Sequence, residues 1–443
     1  MNGLADASWN ALAPAASGRA EDGVRDAAQR LWLAHLRGDV SPRQPAPTVR
    51  QWAYLEDEAA RHELHGLTYR LLSDGPLAGQ VPRELGGRLR SSYVDTATRN
   101  ALAFRHISHM AKDLAATGIE VMLLKGVHLA RFVYAEPGLR NMADVDIMVR
   151  RPHLAEAEQV FLARGFGPVP RPDIEEFCTR SNHLARLFKD GAPVVEVHWS
   201  IERPTSPFPI DPDGLWARSR GTTLGGVPFR LLSPEDLLLH LSLHESYHHR
   251  FDRSALKGMV DIHAVVARHA KEIDWQALTE RARLWGASGF VYTTLRLAVE
   301  ILGTPVPATV FDALPHRRAD EKVIDVARRY ILVPRPVLPR PYLELVRSRT
   351  LRERWRLLVG NVFLSRQDME RVYGLDRGTP LVYACYGRRL ASLLLRRSGL
   401  LLRALMGSRD LSAPLDREED RLRIEDWVGG RAPREEQEEE PMG

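Results

Sequence analysis

The sequence is poor in cysteine and has no long apolar run. Only Cys178 and Cys385 occur among its 443 residues, which excludes a disulfide framework and a cysteine-rich zinc site. A transmembrane helix needs about 20 apolar residues in succession, and the N-terminus lacks the apolar stretch of a signal peptide. We therefore expect a cytoplasmic protein without a transmembrane segment, and nothing in the sequence indicates its oligomeric state.

The net charge of +5 combines a basic body with an acidic end. From Asp416 to the C-terminus there are eleven acidic residues and five arginines, so the rest of the chain is markedly basic. A basic body favours polyanionic partners, and the triphosphate of an NTP is the smallest of these. Nucleic acid is a less favoured partner, because scattered arginines more often belong to solvated surfaces.

The hydrophobic pattern changes from helical to mixed near residue 118. It predicts an α+β fold in which a small mixed β-sheet core is flanked by mainly helical N- and C-terminal regions. The expected segments are a flexible N-terminus (1–20), a helical lead-in (21–117), an α/β core (118–230), a helical bundle (231–333), an Arg-rich helical C-terminal region (334–410) and an acidic disordered tail (411–443).

Two aspartates share one face of a predicted strand. Acidic and apolar positions alternate over residues 144–147, which is typical of a half-buried strand. Side chains two residues apart point the same way, so Asp144 and Asp146 lie on one face while Val145 and Ile147 face the core. Because Mg²⁺ is commonly held by carboxylates together with phosphate oxygens, this strand predicts a metal site. An edge strand that carries acids for solubility is the alternative.

A second acidic strand is predicted farther along the chain. Residues 194–199 alternate in the same way and bring Glu196 and His198 to one face. If the two strands are neighbours, Asp144, Asp146 and Glu196 form a three-carboxylate cluster that binds Mg²⁺ or Mn²⁺. The aspartates would hold the metal and the NTP, and Glu196 would complete the metal site and take the acceptor's proton. His198 is a further binding candidate, either as a neighbour of the metal or as a base; the alternative is that it is simply a packed residue.

The turn Lys125-Gly126 follows an apolar strand and precedes a predicted helix. Backbone N–H groups at such a turn, together with the helix dipole, suit a phosphate group. The Lys125 ammonium adds a full positive charge, and Arg140 can reach the same phosphates. We therefore predict that Lys125, Gly126 and Arg140 bind the triphosphate; the alternative is that Lys125 is a solvated turn residue.

Two groups of residues are spaced by four along the later helices. His240, His244 and His248 share one helical face, but three histidines on a straight helix cannot easily close a tetrahedral zinc site. We expect instead a substrate-facing or hydrogen-bonded stripe. Lys257 and Asp261 have the same spacing, and a structural salt bridge between them is the favoured interpretation.

The motifs and their order resemble a known family. The residues that carry the resemblance are His-Gly-Leu at 65–67, Leu-Leu-Lys-Gly at 123–126, Pro-Gly-Leu-Arg at 137–140, Asp-Val-Asp-Ile-Met-Val at 144–149, Val-Glu-Val-His-Trp at 195–199, Asp-Ile at 261–262, Phe-Leu-Ser at 363–365 and Tyr373. They resemble the uncharacterised nucleotidyltransferase family of the polymerase β-like nucleotidyltransferase superfamily, and the resemblance covers most of residues 28–390.

The resemblance implies a role for each acid. Asp144 and Asp146 correspond to the metal-binding pair of the superfamily, and Glu196 corresponds to its third acid. The usual Gly-Ser turn of the superfamily appears here as Lys125-Gly126. The hydroxyl that normally contacts the triphosphate is therefore missing, and a lysine charge stands in its place.

The motifs together predict a transferase. We expect a Mg²⁺-dependent (or Mn²⁺-dependent) nucleotidyltransferase that moves a nucleoside monophosphate from an NTP, such as ATP, to an unidentified acceptor. The acceptor would be a peptide, a protein or a small molecule, and pyrophosphate would be released. Two alternatives stay open: a catalytically inactive nucleotide-binding or scaffold protein, and an RNA-directed nucleotidyltransferase or toxin.

Overall fold

The computed structural model describes residues 19–40, 45–167, 173–252, 255–333 and 412–430, with short stretches between residues 352 and 387. Its helices as far as residue 333 are α1 (Arg19–Arg37), α2 (Val49–Arg61), α3 (His65–Asp74), α4 (Arg83–Ala116), α5 (Lys125–His128), α6 (Leu154–Ala163), α7 (Ile174–Cys178), α8 (Pro212–Arg218), α9 (Pro234–Leu243), α10 (Ala255–Arg268), α11 (Trp275–Leu284), α12 (Ser288–Leu302), α13 (Ala308–Ala313) and α14 (Arg318–Leu332). None of the helices in the described ranges is long and apolar enough to cross a membrane.

The strands are β1 (Met122–Leu123), β2 (Asp144–Met148), β3 (Val194–His198), β4 (Arg220–Leu224) and β5 (Val227–Leu231). They form one mixed sheet in the order β3-β2-β1-β5-β4. The central strand β1 is antiparallel to β2 and parallel to β5, and β2 is parallel to β3. A mostly helical chain with one mixed sheet confirms the expected α+β fold class.

The two faces of the sheet have different neighbours. Val145, Ile147, Val195 and Val197 lie on one face and belong to a buried apolar cluster that includes residues of α4 and α6. The alternation predicted for β2 is therefore confirmed on its apolar side. Because side chains alternate along a strand, the acidic residues of β2 and β3 lie on the opposite face. Met148, which shares that face, belongs to the apolar cluster of the helical bundle α9–α14.

The loop between the π-helical segment Leu129–Val133 and β2 is held against the lead-in helices. A Cβ added to Gly66 of α3 would lie 1.9 Å from the carbonyl oxygen of Gly138, so only glycine permits this approach. Asn100 of α4 donates from Nδ2 to the carbonyl oxygens of Pro137 and Arg140 at 2.6 and 2.8 Å. These contacts position the loop that carries Arg140 and leads directly into β2.

The helical bundle begins at a well-capped end. The Ser233 hydroxyl accepts a hydrogen bond from the backbone N–H of Asp236 at 3.2 Å, and Pro234 occupies the first turn of α9. Every residue of α9 is buried, and the helix continues into a π-helical segment, His244–His248. Helix α9 is thus the central element of the bundle, and it lies against the sheet face that carries the acids.

The structure differs from our expectation at the acidic end of the chain. Residues Ser412–Val428 form a helix, where a disordered tail is expected from composition. Its last turn is anchored, because Ile424 and Trp427 are buried and Trp427 Nε1 donates to Asp320 Oδ1 at 2.7 Å. Burial of Ile424 and Trp427 stabilises this helix despite the local excess of charged residues, and composition alone does not show which residues are buried. Residues 431–443 of the expected tail lie outside the described residues.

The chain divides into two units. One comprises Ser17–Leu332 with Ile424–Gly443, and it contains the whole sheet; the other comprises Met1–Ala16 with Val333–Arg423. In the second unit residues 381–387 are helical, and the Arg366 guanidinium lies over the Tyr383 ring. Most of the expected Arg-rich region (334–410) lies outside the described residues, as does most of the expected flexible N-terminus (1–20). The domain boundaries expected from the sequence stay a prediction.

Candidate active site

The predicted acids meet across two parallel strands. The register of β2 and β3 places Asp146 opposite Glu196, and Met148 opposite His198. Residues paired in this way lie about 5 Å apart and share a face. Asp146, Glu196 and His198 are each at most 5% exposed. Three polar side chains from separate parts of the chain thus converge in a buried position.

We call Asp146, Glu196 and His198 the acid–histidine cluster. His198 Nε2 lies 2.9 Å from Asp146 Oδ1 and 3.5 Å from Glu196 Oε2. One donor atom from each residue can be chosen so that all lie within 4.8 Å of one another. Asp144 lies on the same face of β2, two residues before Asp146, and is half-buried. Burial and the charges of Asp146 and Glu196 raise the pKa of Asp144, so its carboxyl belongs to the same electrostatic environment.

The orientation of His198 is determined by Asn182. The Asn182 amide nitrogen donates to the carbonyl oxygen of Ser200 at 3.0 Å, which identifies that atom as the donor, and it lies 3.3 Å from His198 Nδ1. His198 Nδ1 therefore accepts, and its proton is on Nε2, facing Asp146. In this arrangement His198 serves the two carboxylates as a hydrogen-bond donor.

Two cationic side chains also contact the carboxylates. Lys125 Nζ lies 3.3 Å from Asp146 Oδ1, and Arg186 Nε lies 2.6 Å from Glu196 Oε1. Burial alone would raise the pKa of Asp146, but Lys125 and His198 hold it far below its usual range. Burial opposes the shift in Glu196 as well, yet the hydrogen bond from His198 lowers its pKa to about 2. Both groups are therefore carboxylates at neutral pH, and Glu196 is better suited to bind a cation than to act as a base.

The residues present fit one divalent cation. Ligand atoms on opposite sides of a bound cation are separated by about 4 to 5 Å, and the donors of the acid–histidine cluster lie within 4.8 Å of one another. Asp146 and Glu196 supply oxygen atoms, whereas Asp144, predicted as a third carboxylate ligand, is not part of this group and lies two residues away on the same face of β2. His198 becomes a ligand only if it gives up the proton on Nε2. An imidazole among the donors suits Mn²⁺ at least as well as Mg²⁺.

The Lys125-Gly126 turn has an unusual backbone. Leu124 N donates to the carbonyl oxygen of Asp146 at 3.1 Å, so the turn begins directly beside the acid strand. Lys125 has a φ of 31°, which a residue with a side chain rarely adopts. Such strain persists only where the surroundings impose it, and it is common at ligand-binding sites. The turn presents the Lys125 ammonium to Asp146.

Arg140 lies next to this turn, but most of its guanidinium is already bound. Its Nε and Nη2 donate to the two carboxylate oxygens of Asp261, both at 2.9 Å, and Tyr134 donates to Asp261 Oδ1 at 2.7 Å. We call Arg140, Asp261 and Tyr134 the arginine–aspartate cluster. Only Nη1 of Arg140 is directed toward Gly126. A phosphate contact by Arg140 would use that nitrogen, and it stays a prediction.

The expected salt bridge between Lys257 and Asp261 is wrong. Lys257 Nζ pairs with Glu63 Oε2 at 2.8 Å, and Asp261 is saturated by Arg140 and Tyr134. The spacing of four along α10 allows the expected pair. The two parallel hydrogen bonds from the Arg140 guanidinium are stronger than a single contact with the Lys257 ammonium. Asp261 therefore pairs with Arg140, which is distant in sequence.

Sequence reasoning missed three residues of the site. Asn182, His183 and Arg186 lie in an extended segment that bridges to β3, with His183 paired to His198 and Leu187 to Val195. The His183 ring is centred 5.1 Å from that of His198. The polar run Ser-Asn-His at residues 181–183, just before an acidic strand, is the signal that points to them.

The histidine stripe of α9 also lies at the site. The charges of Lys125, His198 and Asp146 all act on His240. Within the described part of the chain, the group formed by Asp146, Glu196 and His198 is the only one whose donor atoms could hold a metal ion. The histidines of the stripe form no such group in the described ranges, and a substrate-facing or hydrogen-bonded stripe stays a prediction.

Comparison with known proteins points to one family. The model of the family described as Uncharacterised nucleotidyltransferase matches residues 48–303, more than half of the chain. This span includes the sheet and both clusters, and it ends before residues 363–365 and Tyr373. Among solved structures the chain is similar to an antigenic nucleotidyltransferase-like protein from Paracoccidioides brasiliensis, with 18% identity, a TM-score of 0.30, and coverage of 49% of this chain and 96% of that one. No curated protein matches significantly.

Proposed function

The chain belongs to the uncharacterised nucleotidyltransferase family, and from this premise we propose that it transfers a nucleoside monophosphate from an NTP to an acceptor. The new bond joins an acceptor oxygen to the α-phosphorus, and the bond from that phosphorus to the bridging oxygen breaks. Pyrophosphate leaves with the bonding electrons, and the acceptor's proton is released. The observation that carries the proposal is the convergence of Asp146, Glu196 and His198 on adjacent strands.

Each residue of the site has a role in this proposal. Asp146 and Glu196, with Asp144 on the same face, would hold a divalent cation, which would supply positive charge to neutralise the triphosphate. Lys125, whose ammonium lies 3.3 Å from Asp146 Oδ1, would bind the triphosphate. Gly126 permits close approach of the phosphates to the backbone. His198 holds the two carboxylates in place through Nε2.

The test follows the fate of two labels. We expect purified protein with Mg²⁺ or Mn²⁺ and cell extract to transfer label from α-labelled NTP to a product, while label from γ-labelled NTP appears only in pyrophosphate. The variant Asp144→Ala/Asp146→Ala should transfer none. Asp213→Asn is the matched control, because it also removes a carboxylate but lies at an exposed position, where it pairs with Arg150 and not with the acid–histidine cluster. Equal labelling by wild type and the double variant, or γ-label in the product, would exclude the proposed role.

One observation favours a second candidate, a catalytically inactive nucleotide-binding protein. Each carboxylate of the acid–histidine cluster already has a cationic partner from the protein, Lys125 for Asp146 and Arg186 for Glu196. If these partners have replaced the metal, the protein should bind NTP without any divalent cation, and titration with Mn²⁺ should show no binding by electron paramagnetic resonance. Mn²⁺ binding that requires Asp146 would exclude this candidate.

A further inference from the structure

Glu202 and His248 are hydrogen-bonded to each other but differ in burial. Glu202 is 3% exposed, and its Oε1 lies 2.8 Å from His248 Nε2. The His248 side chain is 25% exposed, so solvent reaches the ring. Glu202 belongs to the loop that follows β3, and His248 ends the π-helical segment that continues α9. We call these two residues the glutamate–histidine pair, and neither of them has a role in the function proposed above.

The carboxylate of this pair has few partners. Glu202 Oε2 is buried without a hydrogen-bond partner, and within the described ranges the only salt bridge of Glu202 is with His248. A buried carboxylate is costly unless other groups pair with it. Asp236, which is at least as buried, is bound by both Arg218 and Arg281. A carboxylate kept only for stability would be paired like Asp236, whereas Glu202 serves one histidine nitrogen.

The hydrogen bond determines which nitrogen of His248 is left for a ligand. With Glu202 ionised, Nε2 carries the proton and donates it to Oε1. Nδ1 then has a lone pair, and none of the described residues forms a hydrogen bond with it. A buried carboxylate on one nitrogen and an accessible lone pair on the other are the arrangement in which a histidine acts as a general base.

The glutamate–histidine pair lies beside the proposed site. The ring centres of His248 and His244 are 6.3 Å apart, and His248 and Lys125 both act electrostatically on His244. His240, on the same face of the helix, is acted on by His248 together with Lys125 and Asp146. A π-helical segment such as the one that carries His248 occurs frequently at functional sites. The accessible nitrogen therefore lies within the electrostatic environment of the acid–histidine cluster.

The other candidate bases of the site already have partners. Glu196 Oε1 receives a hydrogen bond from Arg186 at 2.6 Å, and its Oε2 lies 3.5 Å from His198 Nε2. His198 Nδ1 accepts from Asn182, while Nε2 faces the carboxylates. In the proposed function Glu196 also holds the cation. His248 is therefore better suited than Glu196 to take the acceptor's proton, the role that the sequence predicted for Glu196.

We propose that His248 is the general base of the transfer reaction and that Glu202 is the positioning residue that orients it. His248 Nδ1 takes the proton of the acceptor, and the acceptor oxygen forms a bond to the α-phosphorus. Pyrophosphate leaves with the electrons of the bond that breaks. Glu202 stabilises the resulting imidazolium, which returns its proton to water. This inference rests on the proposed function and adds to it the residue that receives the acceptor's proton.

The first experiment removes the base and then supplies it from solution. The whole chain is incubated with α-labelled NTP and cell extract, and the initial rate of label transfer is measured at saturating NTP. We expect His248→Ala to lose about 100-fold or more in rate, since general bases contribute this much. Its melting temperature and its affinity for a non-hydrolysable NTP analogue should equal those of the wild type. Added imidazole should restore part of the rate, because the alanine leaves an accessible space for it.

The matched control is His153→Ala. His153 also lies close to a glutamate, with Nδ1 3.9 Å from Glu156 Oε2, but both side chains are exposed. This variant should transfer label at the wild-type rate and should not respond to imidazole. A response to imidazole in the control would mean that the added base acts without a vacant site, and the rescue of His248→Ala would then overturn rather than support the inference.

The second experiment tests whether Glu202 and His248 act as a unit. Glu202→Gln keeps the shape of the side chain but removes its charge, and we expect a loss of about 10- to 100-fold in rate. Once His248 is replaced, the carboxylate has no ring to orient. Glu202→Gln/His248→Ala should therefore transfer label at the rate of His248→Ala alone. Losses that multiply would show that the two residues act separately and would overturn the role of Glu202.

The outcomes distinguish this inference from the proposed function. If the wild type transfers label and His248→Ala does so at an equal rate, the proposed function stands and the inference fails. A loss of rate that imidazole does not restore, or one that accompanies a lower melting temperature and weaker NTP binding, would identify a structural role and would also overturn the inference. If the wild type transfers no label, the proposed function fails, and this inference fails with it.

Discussion

The acid–histidine cluster and the arginine–aspartate cluster are both buried within the described part of one unit, and they differ in how completely they are paired. In the arginine–aspartate cluster, both oxygens of Asp261 receive a hydrogen bond from Arg140, and Tyr134 adds another. In the acid–histidine cluster, His198 and Lys125 both lie on the same oxygen of Asp146, and Lys125 is as far as 3.3 Å away. The arginine–aspartate cluster is thus fully paired within the protein. The acid–histidine cluster is less completely paired, so its carboxylates can bind an external cation.

This difference separates structural charges from binding charges. A saturated, bidentate ion pair fixes the loop of Arg140 to α10, and any ligand would have to break it. A carboxylate that shares its cations can exchange one of them for a metal ion. The count of partners for each buried charge therefore supports the acid–histidine cluster as the proposed site, whereas burial alone does not distinguish the two, since both clusters are buried.

The largest expected effect comes from Glu245, whose buried carboxyl lies beside the arginine–aspartate cluster. Burial, together with the charge of Asp261, raises its pKa from 4.5 to about 8. Below pH 4.5 the Glu245 carboxyl is protonated in both the folded and the unfolded state, and its contribution to the free energy of unfolding is fully present. As the pH rises toward 8 the unfolded chain ionises first, so the free energy of unfolding falls, by about 5 kcal/mol in all. Glu245→Gln should reduce the pH dependence of the free energy of unfolding, which is measured by chemical denaturation. If this free energy varies with pH in the same way in the wild type and in the variant, Glu245 is not held uncharged beside a fully paired arginine–aspartate cluster.

The second effect breaks the closed cluster itself. Asp261→Asn leaves Arg140 buried without its counter-charge, which should lower the free energy of unfolding by about 3 to 5 kcal/mol. The measurement is urea denaturation at neutral pH. A loss below about 1 kcal/mol would mean that Arg140 finds another partner, and the two clusters would then not differ as described.

The third effect uses divalent cations to distinguish the clusters. A ligand that binds only the folded state stabilises it by about 2.7 kcal/mol at one hundred times its dissociation constant. Mn²⁺ or Mg²⁺ should therefore raise the melting temperature of the wild type and of Asp261→Asn. Asp146→Asn should show no such shift. A shift retained in Asp146→Asn would move the cation site away from the acid–histidine cluster.

The smallest effect concerns the exposed pair of Lys257 and Glu63. Glu63 is half-exposed, so the ion pair should contribute only about 0 to 1 kcal/mol. Lys257→Met should change the free energy of unfolding within that range, and added salt should reduce the difference further. A loss comparable to that of Asp261→Asn would show that Lys257 does support Asp261.

Local patterns in the sequence predicted the acid face but not its partners. Alternation with a period of two is sufficient to place Asp144 and Asp146 opposite Val145 and Ile147, because it follows from strand geometry alone. The pairing of Asp146 with Glu196 needs two strands to be neighbours, and the family resemblance supplied that expectation. No spacing rule indicates that Arg186 would bind Glu196, since this contact depends on a segment folding back onto β3.

Two further elements show where sequence reasoning stops. The hairpin of β4 and β5 is not among our predictions, although Gly225-Gly226, both with positive φ, is a recognisable turn between two alternating runs. The salt bridge expected within α10 failed because partners distant in sequence, Arg140 and Glu63, were nearer and better oriented. Contacts along one element can be predicted from spacing, whereas contacts between elements require the fold.

The length of α4 has a consequence for how the protein can be divided. The helix spans 34 residues, about 50 Å, and its C-terminal half packs beneath the sheet through Ile107, Met110 and Leu114. Farther toward its start, Asn100 holds the loop that leads into the acid strand. Helix α4 therefore both packs against the sheet and holds the loop that leads into β2. A shortened chain that began after residue 117 would lose both supports at once, so the acidic strands cannot be excised as an independent module.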